Sequence, residues 1–393
     1  MSRLRPLRAL PGSIWSLGLV SLSMDVSSEL VHSLLPVFLS SVLGASMLTI
    51  GVIEGVAEAT AAVTKVFSGA WSDHLRRRKW LAAAGYGLAA LTKPVFALAP
   101  TVSWVFAARF VDRVGKGIRG APRDALVADL TAPSLRGAAY GLRQALDSLG
   151  AFLGPLLALL LMAWLHDDVR AVLWMAVPPA FLAPLLLALA VREPERQRAG
   201  AAAALALRAV RGLGLRYWLV VALGAVFTLA RFSEAFLVLR AADLGLPMGQ
   251  VPLVMMAMNL VYAGSAYPAG AAADRLGARP LLLQGIVVLV AADAALALAP
   301  GVGTVFLGAG LWGLHMALTQ GLLAKLVAEA APEPLRGTGF GIFHLVSGAS
   351  LLVASTLAGA LWEGLGPRAT FTAGGLLAAL AALGLLLHRA PRS

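Results

Sequence analysis

The feature that most constrains this chain is its run of apolar stretches, each about as long as a bilayer is thick, separated by short polar joints. A spanning helix needs about 20 mostly apolar residues. Such stretches are read at 13–41, 46–71, 80–99, 102–125, 137–165, 169–191, 217–240, 248–270, 280–299, 302–330, 337–363 and 367–388. They break at turn or charge signals such as Leu43-Gly44-Ala45, Pro100-Thr101, His166-Asp167-Asp168 and Pro300-Gly301. Of the 393 residues 59% are apolar and 13% charged, with a mean hydropathy of +0.81. A soluble domain carries roughly 25% charged residues and has too little core to hide this much apolar surface. The expected fold is an all-α polytopic membrane protein of about twelve transmembrane helices.

Charge placement sets the orientation. The net charge of +12 would point to nucleic acid in a soluble protein. Here the cations fall in alternate joints: Arg3, Arg5 and Arg8; Arg76 to Lys79; Arg192, Arg196, Arg198, Arg208, Arg211 and Arg216; Arg275 and Arg279. The other joints hold little beyond Arg170 and Arg368. By the positive-inside rule both termini are cytoplasmic, in keeping with an even number of spans. No small-x-small cleavage site follows the first apolar run, so it is read as a retained span rather than a signal peptide. Arginine-rich, alanine-rich composition fits a bacterium, and the expected location is its plasma (inner) membrane. There is no cysteine, which excludes disulfides, thiol catalysis and thiolate metal sites.

The chain repeats internally. GAWSDHLRRR begins at Gly69 and GAAADRLGAR at Gly270, 201 residues apart; RGAAYG begins at Arg136 and RGTGFG at Arg336, 200 apart. Two matches at nearly one offset imply two six-span copies of like orientation, related by an axis along the membrane normal. The expected units are 1–191, a cytoplasmic linker at 192–216, and 217–393.

Ionisable residues inside the spans carry the functional signal. Each costs roughly 2.5–3.5 kcal/mol at the centre of a span, so they must face a cavity or one another. In the first span Asp25, Glu29 and His32 share a helical face with Ser28; in the second, Glu54, Glu58 and Lys65 do. In the fourth, Arg109, Asp112, Arg113, Lys116 and Arg123 recur at steps of three and four, with Arg119 close by; in the fifth, Arg143 and Asp147 form an i, i+4 pair beside Gln144. The second copy is poorer. It offers Arg231, Glu234 and Arg240, then His315, Gln320 and Lys325, then His344. At an offset of 200, Phe343, His344 and Ser347 replace Arg143, Gln144 and Asp147. Ion coupling is therefore expected mainly in the first copy, and a more apolar wall in the second, with Met255, Met256, Met258, Asn259, Tyr262 and Trp312 as candidates. Asp25 and Glu29 have no cation near them in sequence, and such a pair can load and release a proton. The rival is structural pairing with Arg109 or Arg113. Arg143 with Asp147, and Asp112 with Arg113 or Lys116, can equally be pairs that hold helices in register. Asp124 and Asp129 are read as loop contacts, and Lys93 as a span-end residue that snorkels.

The sequence resembles the major facilitator superfamily over essentially its whole length. That family carries G-x-x-x-D-R-x-G-R-R after its second span. Gly69, Asp73, Arg77 and Arg78 match, with His74 and Arg76 departing; in the second copy Gly270, Asp274, Arg275, Gly277 and Arg279 match, with Ala278 departing. Gly150, Gly154 and Pro155 are similar to its antiporter motif, although Ala158 and Leu159 stand where two glycines follow. The resemblance implies two six-helix bundles around a central cavity, a conformational latch in the repeated loop whose arginines pair with acids across the halves, and export in preference to import.

Together these residues point to a secondary transporter working by alternating access, with proton-coupled export of a small molecule as the leading reading. The alternatives are uptake or uniport of an organic anion, served by the Arg109–Lys116 stripe, and transport of a divalent metal or its chelate through Asp25, Glu29 and His32. The expected partners are a small-molecule substrate, protons and the lipid bilayer, with no nucleic acid, no cofactor, no resident metal and a monomeric chain. The usual nucleophile, zinc-protease and P-loop patterns are absent, so neither an enzyme nor an ATP-driven pump is expected.

Overall fold

The computed structural model describes residues 10–75, 77–132, 135–192, 212–332 and 335–387. Apart from its two ends, the expected linker lies outside them. The elements are α1 (Gly12–Val37), α2 (Met47–Leu75), α3 (Arg78–Leu98), α4 (Val102–Asp129), α5 (Arg136–Trp164), α6 (Val169–Met175), α7 (Val177–Ala190), α8 (Leu215–Ala230), α9 (Ala235–Asp243), α10 (Pro252–Leu276), α11 (Ala278–Ala297), α12 (Val302–Ala330), α13 (Arg336–Leu365) and α14 (Pro367–Leu387). No strand occurs among the described residues. This is what a bilayer demands, because only a helix or a closed barrel satisfies its backbone polar groups without water. Counting α6 with α7 and α8 with α9, the helices make twelve spans. Nine of them, among the described residues, are long and apolar enough to cross a membrane by composition alone. α4 is not one of the nine, because charges recur along it.

Local chemistry explains the joints. Pro36 lies one residue inside the end of α1, and a π-turn over Phe38–Val42 follows, closed by Leu43 N donating to the Phe38 carbonyl. The chain then reverses at Gly44, whose φ of 67° suits glycine. The joint before α6 places His166 and Asp167 at φ 53° and 62°, and the Asp168 carboxylate caps α6 by accepting from Ala171 N at 3.1 Å. The seventh span, expected as one helix, is broken at residues 231–234. Ser355 Oγ accepts a hydrogen bond from Ser233 N (3.1 Å) and Ser233 Oγ accepts one from Ala235 N (3.3 Å), so the break keeps its donors occupied.

The chain forms two compact units. The first comprises residues 1–35 and 60–205; the second comprises 36–59 and 206–393, so the first half of α2 belongs with the second unit. In the first unit Ile14, Leu17, Val20 and Met24 of α1 pack with Ala82, Tyr86 and Ala89 of α3, Leu126 of α4, Leu142 of α5 and Ala183 and Leu187 of α7. α3 and α4 are in close approach where Gly85 and Gly115 face each other: a Cβ at either would stand 2.7 or 2.6 Å from the other's carbonyl oxygen. In the second unit Tyr217 packs with Val221 and Val327 and donates to the Gly339 carbonyl at 2.8 Å. Gly51 of α2 seats on the Ser355 carbonyl of α13, Gly359 of α13 seats on the Met47 carbonyl, and Glu363 accepts from Leu48 N at 3.1 Å. The internal repeat is plain in the helix starts: α3 and α11 begin at Arg78 and Ala278, α4 and α12 at Val102 and Val302, α5 and α13 at Arg136 and Arg336.

Candidate functional site

The first unit gathers its charges where α1, α3, α4 and α5 meet. Gly150 and Gly154 of α5 lie against α1 at the two acidic residues. A Cβ at 150 would stand 2.9 Å from Asp25 Cβ, and one at 154 would stand 2.7 Å from Glu29 Cβ. Both pairs are four residues apart, so one turn of each helix is in register with the other. Glu29 meets His32 Nδ1 at 3.4 Å, and the charges of Lys116 and Arg113 also reach it. Asp25 makes no hydrogen bond or ion pair among the described residues; the charges acting most on it are those of Asp147, Arg119, Arg123 and Glu29. Arg109 and Arg113, its expected structural partners, are not among them.

The α4 stripe is largely buried: Arg109, Asp112, Arg113 and Arg119 are each under a tenth exposed, while Lys116 is exposed. Asp112 is held chiefly by Lys93 of α3, at 2.9 Å, with Arg113 Nε at 3.9 Å. Lys93 also donates to Ser28 Oγ of α1 at 3.2 Å. The span-end reading of Lys93 is therefore overturned: the side chain is 1% exposed and ties three helices together. Arg119 lies over the Tyr86 ring at 4.8 Å. Arg143 does pair with Asp147, at 3.0 Å, and also meets Asp124 at 3.3 Å; Arg123 bonds Ser21 at 3.1 Å and Asp124 at 3.2 Å. Asp124 thus joins a network within the helices rather than a loop contact, and Asp129 is the partner of Arg78, at 2.8 Å.

In the second unit the charged pair at the α8–α9 break comes together with polar groups of α10 and α12. The charge of Arg231 acts on His315 and on Tyr262, and that of Glu234 on Tyr262. Tyr262 donates to Gln320 Oε1 at 3.4 Å, and His315 Nδ1 contacts the Gly285 carbonyl at 2.8 Å. Met255 and Met258 are buried, as is Trp312. Glu54, 1% exposed, and Glu58 belong to this unit. Arg240 is tied to Asp243 at 2.5 Å and to the Leu296 carbonyl at 3.0 Å.

The repeated loop is only partly described. The side chains of Asp73 and Asp274 and the surroundings of Gly69 lie outside the described residues. Arg77 and Arg275 are exposed, and nothing lies within 4 Å of a Cβ at Gly270. Arg78 bonds Asp129 within its own unit, and Arg279 donates to the Leu385 and Leu386 carbonyls at 2.8 and 3.2 Å, closing the end of α14. These two arginines of the expected latch hold acids and carbonyls of their own halves. Among the described residues no group of three His, Asp or Glu converges as a metal site, Asp25, Glu29 and His32 included. One further buried acid joins those expected from the sequence. Asp293 of α11 is fully enclosed, and a single acid in the apolar run 280–299 is signal enough to find it.

Twelve spans with charges sequestered at helix crossings define a polytopic membrane transporter. The sequence profile of the Major Facilitator Superfamily matches residues 17–239 and again 220–393, and the chain belongs to that superfamily. Its members are transporters, not enzymes. An uncharacterized MFS-type transporter of Methanocaldococcus jannaschii is 30% identical over 96% of this chain and 95% of its own length. An uncharacterized protein of Mycobacterium tuberculosis is 29% identical over 88% of this chain and 85% of its own. Among solved structures, a bacterial homologue of the human lysosomal transporter Spinster superposes with a TM-score of 0.75 at 16% identity, covering 95% of this chain and 96% of that one. The nucleoside transporter NupG superposes with a TM-score of 0.76 at 12% identity, covering 96% of this chain and 100% of that one. These likenesses establish the fold.

Proposed function

We propose that the protein exports a small molecule in exchange for protons, by alternating access, and that Asp25 carries the proton. It works as a monomer in a bacterial plasma membrane with both termini cytoplasmic, its two six-span halves joined by the linker at 192–216. One observation carries the reading. Of the acids in the first unit's spans, Glu29, Asp112, Asp124 and Asp147 each have a basic partner within 4 Å, and Asp25 has none among the described residues. An acid held at a helix crossing without a committed cation can change protonation without breaking an ion pair. Its seat against the Gly150-x-x-x-Gly154 face couples that change to the packing of α1 on α5.

The test is proton flux. The protein is reconstituted in liposomes enclosing a pH-sensitive dye, a proton gradient is imposed, and candidate cations, anions and zwitterions are added in turn. Substrate-dependent proton movement that disappears in Asp25→Asn is expected. Substrate movement indifferent to the gradient would overturn the reading.

A second reading has its own support. In the charge cluster described above where α1, α3, α4 and α5 meet, Lys93, Arg109, Arg113, Lys116, Arg119, Arg123 and Arg143 outnumber Asp25, Glu29, Asp112, Asp124 and Asp147 by seven to five. Such a surplus favours an organic anion, moved by uptake or uniport. In the same liposomes that transport would follow membrane potential and the anion gradient, and would persist in Asp25→Asn.

A further inference from the structure

The two copies of the repeat differ at one buried pair. α3 and α11 start 200 residues apart, as do α4 and α12, so Lys93 corresponds to Asp293 and Asp112 to Trp312. In the first unit the two positions are joined by an ion pair at 2.9 Å. In the second, neither oxygen of the Asp293 carboxyl has a hydrogen-bond partner, and neither does Trp312 Nε1. Both side chains are 0% exposed.

The surroundings leave Asp293 little to bind. Phe232, at the α8–α9 break, and Gly374 of α14 close over it: a Cβ at 374 would stand 2.9 Å from Asp293 Oδ2 and 2.9 Å from Phe232 Cε1. The Phe232 ring lies 5.3 Å from Trp312 and 5.5 Å from Phe371. No charged side chain acts on the carboxyl among the described residues. From α9, Arg240 faces α11 at Leu296 but is engaged by that carbonyl and by Asp243. From α12, His315 faces α11 at Gly285, and the charged groups at the break, Arg231 and Glu234, act on His315 and Tyr262. On α14 the charged residue is Arg368, nearly two turns before Gly374; on α10 the charged residues are Asp274 and Arg275, at the far end. An ionised carboxylate with neither cation nor donor does not persist in such a place; it takes up a proton. A space that would not admit a methyl group admits nothing larger.

We infer that Asp293 is a proton-binding site of the second unit, with Trp312 as the donor that stabilises its ionised form. In the packing described the carboxyl holds its proton as an O–H. On release the O–H bond breaks, the proton passes to water at the α11–α12 joint about one turn away, and Trp312 Nε1–H turns to donate to the carboxylate left behind. Phe232 must shift for the indole to turn, which ties proton release to the helix break. The inference does not depend on Asp25 or on which ion drives transport.

Infrared difference spectroscopy of the whole protein in liposomes tests it. Raising the pH is expected to remove a carbonyl-stretch band of a protonated carboxylic acid in Asp25→Asn as in the wild type, and that band should be missing when Asp293→Asn, which keeps the side chain's size, is added to Asp25→Asn. In Trp312→Phe the band should persist to a pH about one unit higher, the worth of one hydrogen bond to a charged group. A band that survives when Asp293→Asn is added to Asp25→Asn, or one that never titrates in folded protein, would overturn the inference. Hydrogen exchange on the wild type gives an independent check: the 285–297 and 370–378 segments should open more readily at high pH, relative to α3, and uniform behaviour would count against it. Loss of the Asp293 band with intact proton-coupled transport, or the converse, separates this site from the one proposed at Asp25.

Discussion

Gly150 of α5 lies against Asp25 of α1 with no room for a side chain between them. A methyl group there would stand 2.9 Å from Asp25 Cβ and 3.0 Å from the Leu22 carbonyl oxygen, and at Gly154 it would meet Glu29 Cβ at 2.7 Å and the Val26 carbonyl oxygen at 2.8 Å. The obstacles are mostly backbone and Cβ atoms, which cannot swing aside. Gly150→Ala and Gly154→Ala are each expected to lose about 1–3 kcal/mol by overpacking. Gly141→Ala on the same helix, where nothing lies within 4 Å, should instead gain up to about 1 kcal/mol of helix propensity. Thermal unfolding of the purified variants decides it, and equal midpoints for all three would show that the crossing is looser than described.

Lys93 and Asp112 offer a test of asymmetry. Removing one member of a buried ion pair costs about 3–5 kcal/mol, because the other charge is left uncompensated. The two members are not equivalent. Without Lys93, Asp112 still has Arg113 Nε at 3.9 Å. Without the Asp112 charge, Lys93 is left with Ser28 and with the repelling charges of Arg113 and Arg119. Asp112→Asn should therefore unfold at a lower temperature than Lys93→Met. The reverse order would mean that another anion serves Lys93.

The spans and their repeat were legible in the sequence because hydropathy and turn residues act locally. The break in the seventh span was not. Arg231, Phe232, Ser233 and Glu234 include no proline or glycine, and the break is held by a partner distant in sequence, Ser355. The same holds for the site. Arg143 with Asp147 could be read because helical spacing brings them together. Lys93 could not, because its partners stand on α1 and α4, and a lysine a few residues from the end of an apolar run looks free to reach water. Asp25 with Gly150 also lies beyond periodicity: each residue announced itself, but their contact depends on the crossing of two helices.

On α12, Gly313 sits on the backbone of α10 at the Met258 carbonyl and Tyr262 N, whereas Gly310 has only the Val261 Cγ2 methyl nearby, at 3.6 Å. Ordinary van der Waals contact costs nothing, and a clash with backbone must push helices apart. Gly313→Ala is expected to destabilise by about 1–3 kcal/mol or more, with reduced yield of folded protein. Gly310→Ala should be neutral within about 0.5 kcal/mol. Chemical or thermal unfolding in detergent distinguishes them, and a benign Gly313→Ala would place α10 and α12 farther apart than the structure has them.

Arg78 matches the family's loop pattern, and the structure gives it a partner in its own half: Nη1 lies 2.8 Å from Asp129 Oδ2, with the side chains 10% and 17% exposed. If this pair is the arginine's main commitment, Arg78→Ala and Asp129→Asn should not be additive. Residues in direct contact couple by about 0.5–3 kcal/mol in a double-mutant cycle, so the double variant should unfold at nearly the temperature of the worse single one. The pair is mostly shielded from water, so the coupling should survive moderate salt better than that of an exposed pair. A coupling of zero would mean that Arg78 spends its charge elsewhere, and the second-half acids would then be the next partners to test by the same cycle.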